Sequence, residues 1–121
     1  MNEILVIDDE RSILDALHMI FEDYGFRVRG AASGREAIAL ARRHDFALAI
    51  TDYGLPDTCG TKLLTDIAEI SPSAPVILIS GRVTPELRAE AEACGAAGVL
   101  AKPFAPSAII SLVTKVLDLK P

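Results

Sequence analysis

The sequence predicts an α/β protein built on a doubly wound parallel sheet of five strands, each followed by a helix. Two observations indicate this class. Short apolar runs bounded by turn residues recur at intervals of roughly 20–25 residues, and the segments between them carry apolar residues at helical spacing. Regular alternation of this kind indicates βα units and a parallel sheet.

The five predicted strands are short and apolar, as expected for strands that are buried on both faces of a parallel sheet. The run at residues 47–52 (ALAITD) is typical, because it is apolar, ends on a carboxylate and is followed by turn residues. The predicted strands cover residues 3–7, 26–30, 47–52, 75–80 and 98–101.

The five predicted helices are amphipathic, and several have recognisable ends. The first presents an apolar stripe that runs as far as Tyr24. Ser33 with Glu36 three residues later predicts a capping box for the second. Thr84 followed by Pro85 predicts the start of the fourth. The predicted helices cover residues 10–24, 34–43, 60–70, 85–94 and 106–119.

Length and composition indicate one globular unit. The chain has 121 residues, and we expect residues 1–121 to form a single domain. The net charge of −5 argues against a nucleic-acid-binding surface, which needs a clustered basic patch. No apolar run has the ~20 residues of a membrane span, and residues 1–8 lack the basic start of a signal peptide. Cys59 and Cys94 lack metal-binding spacing and suggest reduced thiols. We therefore expect a cytoplasmic protein without membrane or direct nucleic-acid contacts.

Polar side chains stand at the ends of four predicted strands. Asp8 and Asp9 follow the first strand, and Asp52 ends the third. Ser80 ends the fourth strand, and Lys102 follows the fifth. In an open α/β sheet, ligands bind just beyond the carboxyl ends of the strands. If these strands are neighbours, all of these groups meet at one edge of the sheet.

These residue types suit phosphoryl transfer assisted by a metal ion. Three neighbouring carboxylates repel one another unless a hard divalent cation lies between them, and Mg²⁺ typically takes one or two carboxylates together with waters and a phosphate. A hydroxyl and an ammonium suit the phosphoryl oxygens, and a carboxylate can be the nucleophile that forms an aspartyl phosphate. Each residue alone has an ordinary explanation, such as an acid at a helix start. The set together predicts Mg²⁺-assisted phosphorylation of one aspartate.

The motifs at the strand ends resemble those of the receiver domain of two-component response regulators. The resemblance extends from Ile4 to the last helix and implies the flavodoxin-like strand order 2-1-3-4-5. The motifs are Asp8-Asp9, Asp52-x-x-x-Pro56-x-x-x-Gly60, Ser80-Gly81 and Lys102-Pro103-Phe104, each after the corresponding strand.

The resemblance implies that Asp52 is the phosphoacceptor and that Mg²⁺ is held by Asp8, Asp9, Asp52 and the backbone carbonyl of Gly54. It implies a sensor histidine kinase or a phosphotransfer protein as the phosphoryl donor. A Mg²⁺-dependent phosphohydrolase would use the same nucleophile, but such enzymes need a second acid two residues later, where this chain has Gly54. We therefore expect a phosphoacceptor switch rather than an enzyme.

The resemblance also assigns the groups on the other side of the site. Ser80 resembles the switch hydroxyl that turns toward the phosphoryl group, and Lys102 resembles its ammonium partner. A cis peptide bond is implied before Pro103. Many receivers have Tyr or Phe three residues before the lysine, whereas this chain has Val99. That departure leaves open an alternative function, a phosphorylation-independent interaction domain on the same fold.

The last predicted helix is apolar over about half of its circumference, which is more than core packing needs. We expect the excess, near Ile110 and Leu117, to be exposed or to bury against a partner. Together with the fourth helix and the fifth strand, this helix forms a candidate surface for a homodimer or an output partner.

Overall fold

The computed structural model describes residues 2–118, in which strands and helices alternate strictly. The elements are β1 (Glu3–Ile7), α1 (Arg11–Asp23), β2 (Arg27–Ala31), α2 (Gly34–Arg43), β3 (Leu48–Asp52), α3 (Gly60–Ile70), β4 (Val76–Ser80), α4 (Pro85–Ala93), β5 (Gly98–Ala101) and α5 (Pro106–Val116).

The five strands form one sheet in the order β2-β1-β3-β4-β5, and every neighbouring pair is parallel. The predicted fold class and strand order are therefore confirmed. β3 is central, with β1 on one side and β4 on the other. The direction of winding reverses between β1 and β3, and the crevice beyond the ends of such a strand pair is where doubly wound sheets bind ligands.

Both faces of the sheet are covered, because successive residues of a strand point to opposite sides. In β1, Ile4 and Val6 belong to a buried cluster with residues of α1 and α5. Leu5 and Ile7 belong to a second cluster with residues of α2 and α3. All four of these side chains are fully buried, so β1 is fixed against slipping by one residue in either direction.

Most of the observed boundaries coincide with the predicted ones, and the others differ by one residue, apart from the end of α5. The prediction for β2 at residues 26–30 is wrong by one position, because Ala31 pairs with Ile7 and completes the ladder. Phe26 instead packs edge-on against Phe21, with 6.2 Å between ring centroids. α5 ends at Val116, and Leu119, which the sequence assigns to this helix, lies outside the described residues.

Two expectations about apolar surfaces are wrong. Tyr24, assigned to the apolar stripe of α1, is 63% exposed and follows the last residue of the helix. Ile110 and Leu117, expected to be exposed or to bury against a partner, are instead half-buried within this chain because they pack against the cluster that α1 and α5 cover. Within residues 2–118, no helix is long and apolar enough to cross a membrane.

Candidate functional site

The carboxyl ends of the strands bring the predicted acidic residues together. Asp8, Asp9 and Asp52 offer carboxylate oxygens that all lie within 4.8 Å of one another. Asp8 is completely buried, Asp52 is 8% exposed, and Asp9 is exposed. Burial, and after it the negative charge of Asp8, raises the pKa of Asp52 above its ordinary value.

The two oxygens of Asp8 have different surroundings. Oδ1 accepts a hydrogen bond of 2.9 Å from the backbone N–H of Glu10. Oδ2 is buried and, among the described residues, its one partner is the ammonium of Lys102. A buried oxygen in this state is suited to a cation, and an all-oxygen donor set is what hard divalent cations prefer. These residues therefore fit a divalent metal ion.

Gly54, whose carbonyl we expect to join the metal ligands, lies in the loop that follows β3. Gly54 forms an isolated bridge with Cys59, and the Leu55 N–H donates to the carbonyl of Thr58 at 3.2 Å. Backbone hydrogen bonds thus hold the shape of this loop, which begins one residue after Asp52.

Lys102 supplies the positive charge of the site. Its Nζ lies 2.8 Å from Asp8 Oδ2, 3.1 Å from Glu10 Oε1 and 3.3 Å from Asp52 Oδ1. Burial by itself lowers the pKa of Lys102, but the hydrogen bonds and charges of these acids more than offset that effect and raise the pKa above its ordinary value. The ammonium therefore stays charged at neutral pH. The Lys102–Pro103 peptide bond is cis, as the resemblance implies.

Ser80 lies at the end of β4 and is largely buried. Its hydroxyl donates to the carbonyl of Arg82 and accepts from the Arg82 N–H, both at 3.2 Å. The side chain therefore shapes the turn between β4 and α4, next to Thr84, which caps α4 by accepting a hydrogen bond from the Leu87 N–H. The structure thus places Ser80 at the predicted strand end, engaged with its own turn.

An aromatic side chain that the sequence analysis missed lies beside this turn. Tyr53 and Val99 are both partly buried against the cluster that α4 covers, which consists of Leu78, Leu87 and Ala91. The aromatic ring in this cluster therefore comes from Tyr53, the residue after Asp52, and not from the position three residues before Lys102, which is Val99. A groove of about 370 Å³ lies here, lined in part by Tyr53, Ser80 and Leu87. No local sequence pattern indicates this packing, because α4 lies more than thirty residues away along the chain.

The loop after Asp52 is tied to two helices by side chains that sequence reasoning also missed. Asp57 accepts hydrogen bonds from the backbone N–H groups of Gly34 and Arg35 at the start of α2, at 2.8 and 2.9 Å. Thr61, in the first turn of α3, donates to Glu90 of α4 at 2.9 Å. These contacts connect α2, α3 and α4 to the segment that carries the central acid.

The strand order and the acidic, hydroxyl and ammonium groups at the strand ends define a doubly wound α/β domain with a charged site at the carboxyl edge of its sheet. The family model described as the response regulator receiver domain matches residues 4–114, and this chain belongs to that family. The resemblance stated from the motifs is therefore confirmed, and signalling in two-component systems is the function of the family.

Relatives agree with this assignment. The transcriptional regulatory protein SrrA of Staphylococcus aureus is 32% identical over 116 residues, which are 96% of this chain and 48% of that protein. The chain thus spans about half the length of the curated relatives it matches. A CheY-like receiver domain protein from Methanospirillum hungatei JF-1 is 31% identical, with a TM-score of 0.92 over 98% of this chain and 94% of that one. A response regulator from Burkholderia pseudomallei, solved with a phosphorylated aspartic acid, a calcium ion and citrate, is 26% identical, with a TM-score of 0.89 over 98% of this chain and 69% of that one.

Proposed function

We propose that this domain accepts a phosphoryl group on Asp52 in a Mg²⁺-dependent phosphorelay and then switches conformation to control a downstream output. The observation that carries the proposal is that carboxylate oxygens of Asp8, Asp9 and Asp52 lie within 4.8 Å of one another. The ammonium of Lys102 contacts two of these acids, Asp8 and Asp52. The donor is a sensor histidine kinase or a phosphotransfer protein in the cytoplasm. The phosphorylated aspartic acid and the calcium ion in the Burkholderia relative support an aspartate acceptor beside a divalent cation.

In the proposed transfer, a carboxylate oxygen of Asp52 attacks the phosphorus of a phosphohistidine. A P–O bond forms as the P–N bond breaks, and the imidazole nitrogen keeps the electron pair of the broken bond. Lys102 Nζ lies 3.3 Å from Asp52 Oδ1, so its ammonium is near the place where the phosphoryl oxygens arrive. Mg²⁺, held by Asp8, Asp9, Asp52 and the Gly54 carbonyl, would supply charge stabilisation as a Lewis acid.

The switch in this proposal begins at Ser80. Its hydroxyl leaves the backbone of Arg82 and donates to the phosphoryl group, so the turn between β4 and α4 loses two hydrogen bonds. The turn leads directly into α4, and α4 packs on the sheet through a cluster that Tyr53 and Val99 border. A rearranged turn therefore changes the position of α4 relative to the sheet. Phosphorylation thus shifts the populations of two conformations. The surface formed by α4, β5 and α5 is the proposed site of a homodimer or an output partner.

The alternative, an interaction domain that works without phosphorylation, draws its support from Val99. The acidic residues favour the phosphoacceptor function instead. Burying Asp8 completely and Asp52 almost completely costs folding free energy. A domain that never used these acids would be free to lose them.

Intact mass after incubation with acetyl phosphate and Mg²⁺ tests the proposal. We expect the wild-type protein to gain one phosphoryl group, and we expect Asp52→Asn to gain none because it lacks the nucleophile. Asp45→Asn is the matched control, since Asp45 is an exposed acid outside the site, and this variant should be labelled like the wild type. An unmodified wild-type protein under saturating donor contradicts the phosphoacceptor function and favours the alternative.

A further inference from the structure

We infer that Glu10 is a positioning residue for Lys102: it gives the ammonium a partner away from Asp8 and Asp52 when a divalent cation takes those two acids. The inference rests on the proposed function, because it concerns how the same site exchanges one positive charge for another.

The three acids around Lys102 are not equivalent. Lys102 Nζ lies 3.1 Å from Glu10 Oε1, and Glu10 is not one of the clustered acids. It also lies 2.8 Å from Asp8 Oδ2 and 3.3 Å from Asp52 Oδ1, and both of these acids belong to the cluster. Lys102 is thus shared between two acids that the cation needs and one that it does not.

The backbone of Glu10 is fixed, whereas its side chain has room to move. Its N–H donates to Asp8 Oδ1 at 2.9 Å, and its carbonyl accepts from the N–H groups of Ile13 and Leu14 at 3.0 and 3.2 Å, which starts α1. The side chain gives α1 no capping bond and instead crosses to Lys102, 92 residues away in the sequence. It is 60% exposed, whereas the Lys102 side chain is 13% exposed.

The position of the ammonium creates a competition. Lys102 Nζ contacts one oxygen of Asp8 and one of Asp52, so a cation that takes these oxygens displaces the ammonium. A displaced ammonium that remained buried without a partner would destabilise the protein, because an unpaired buried charge is strongly unfavourable. Glu10 removes that penalty, so it strengthens cation binding through the lysine without contacting the cation.

Titration of the full chain with Mg²⁺ alone, followed by amide chemical shifts in NMR spectra, tests the inference. We expect Glu10→Gln to weaken Mg²⁺ binding by about two- to fivefold, the range typical of a solvent-exposed charge pair. Glu10→Asp keeps the charge but is shorter by one methylene, and we expect it to bind Mg²⁺ as weakly as Glu10→Gln. Asp15→Asn is the matched control, because Asp15 is an exposed acid of α1 paired with Arg11 at 3.4 Å, and its Mg²⁺ affinity should equal that of the wild type.

A double-mutant cycle with Lys102→Met separates a positioning role from a simple effect of charge. Lys102→Met removes the competing ammonium and should bind Mg²⁺ more tightly than the wild type. In that background, Glu10→Gln should have little further effect. An equal loss of affinity in both backgrounds, or wild-type affinity in Glu10→Asp, would show that Glu10 acts by its charge alone and would overturn the inference.

The same titration distinguishes a failure of the proposed Mg²⁺ site from a failure of the role inferred for Glu10. A wild-type protein that does not bind Mg²⁺ contradicts the metal site of the proposed function, and the inference falls with it. A wild-type protein that binds Mg²⁺ with an affinity that Glu10→Gln leaves unchanged contradicts the inference alone.

Discussion

Gly60 shows how one position can limit the geometry next to Asp52. A Cβ atom at Gly60 would lie 2.6 Å from the carbonyl oxygen of Asp52 and 2.8 Å from the Cα of Tyr53. The Gly60 N–H already donates to the carbonyl of Tyr53 at 2.6 Å. The start of α3 therefore packs directly against the end of β3, and this close approach leaves no room for a side chain.

Gly60→Ala should destabilise the fold by about 1–3 kcal/mol, because the added methyl group overlaps backbone atoms that cannot move without disturbing β3. Urea unfolding measures this difference. Gly81→Ala is the control, since a Cβ atom there meets nothing within 4 Å and neither glycine requires a positive φ. Equal losses of stability in the two variants would contradict a steric role for Gly60.

At the scale of elements, the start of α2 combines predicted and unpredicted contacts. Ser33 Oγ accepts from the Glu36 N–H at 3.2 Å, as the sequence predicts. Glu36 Oε1 accepts from the Ala32 N–H at 3.1 Å, one residue before the position of a standard capping box. Asp57 adds two further acceptors from a loop 22 and 23 residues away, which no local sequence pattern could indicate.

The acceptors on Asp57 make the stability of α2 depend on pH. The N–H groups of Gly34 and Arg35 lower the pKa of Asp57 in the folded protein, whereas an unfolded chain has an Asp pKa of about 3.9. A lowered folded-state pKa contributes stability that is fully present above the unfolded value and is lost as the pH falls through the folded one. Asp57→Asn should therefore be less stable than the wild type at pH 7, and the difference should shrink in acid.

Thermal unfolding of Asp57→Asn and the wild type between neutral and acidic pH measures this dependence. Asp45→Asn is the control, because Asp45 is exposed and is not the capping residue of any helix within residues 2–118. We expect no comparable pH-dependent difference for that variant. A deficit in Asp57→Asn that stayed constant down to the most acidic pH would argue against the ionised carboxylate as its cause.

At the scale of the whole molecule, the class of fold and the meeting of the three acids with Lys102 could be predicted, because both follow from local patterns. Each strand is a short apolar run, and a parallel sheet brings the carboxyl ends of its strands to one edge. The hydrogen bond between Glu10 and Lys102 and the packing of Tyr53 on α4 could not be predicted, because they join residues that are distant in the sequence. The half-burial of Ile110 was missed for the same reason, since it depends on how α1 lies beside α5.

Mg²⁺ should stabilise the whole domain, because the three acids of the site are close together only when the chain is folded. At ten times the dissociation constant, a ligand specific for the folded state adds about 1.4 kcal/mol. For a domain of this size, that corresponds to a rise of roughly 3–6 °C in Tm. Calorimetry in MgCl₂ and in NaCl of equal ionic strength measures the specific part of the rise.

Asp9→Asn is the variant that tests the origin of this stabilisation. Asp9 is exposed, so its replacement should leave the core intact while it removes one proposed ligand. We expect the gain in Tm with MgCl₂ to be reduced in this variant. A gain equal to that of the wild type would place the bound Mg²⁺ elsewhere on the protein.

The contacts between the loop after β3 and the start of α2 limit the exchange of this loop between receiver domains. A Cβ atom on Gly34 would lie 2.5 Å from Thr58 Cγ2, so the first residue of α2 is matched in shape to this loop as well as bonded to Asp57. Thr61, just beyond the loop, donates a hydrogen bond to Glu90 of α4. A segment with these dependencies is not an independent module. A chimera that received the loop of another family member would also need the residues at the start of α2 that this loop contacts, or it would lose the hydrogen bonds from Gly34 and Arg35.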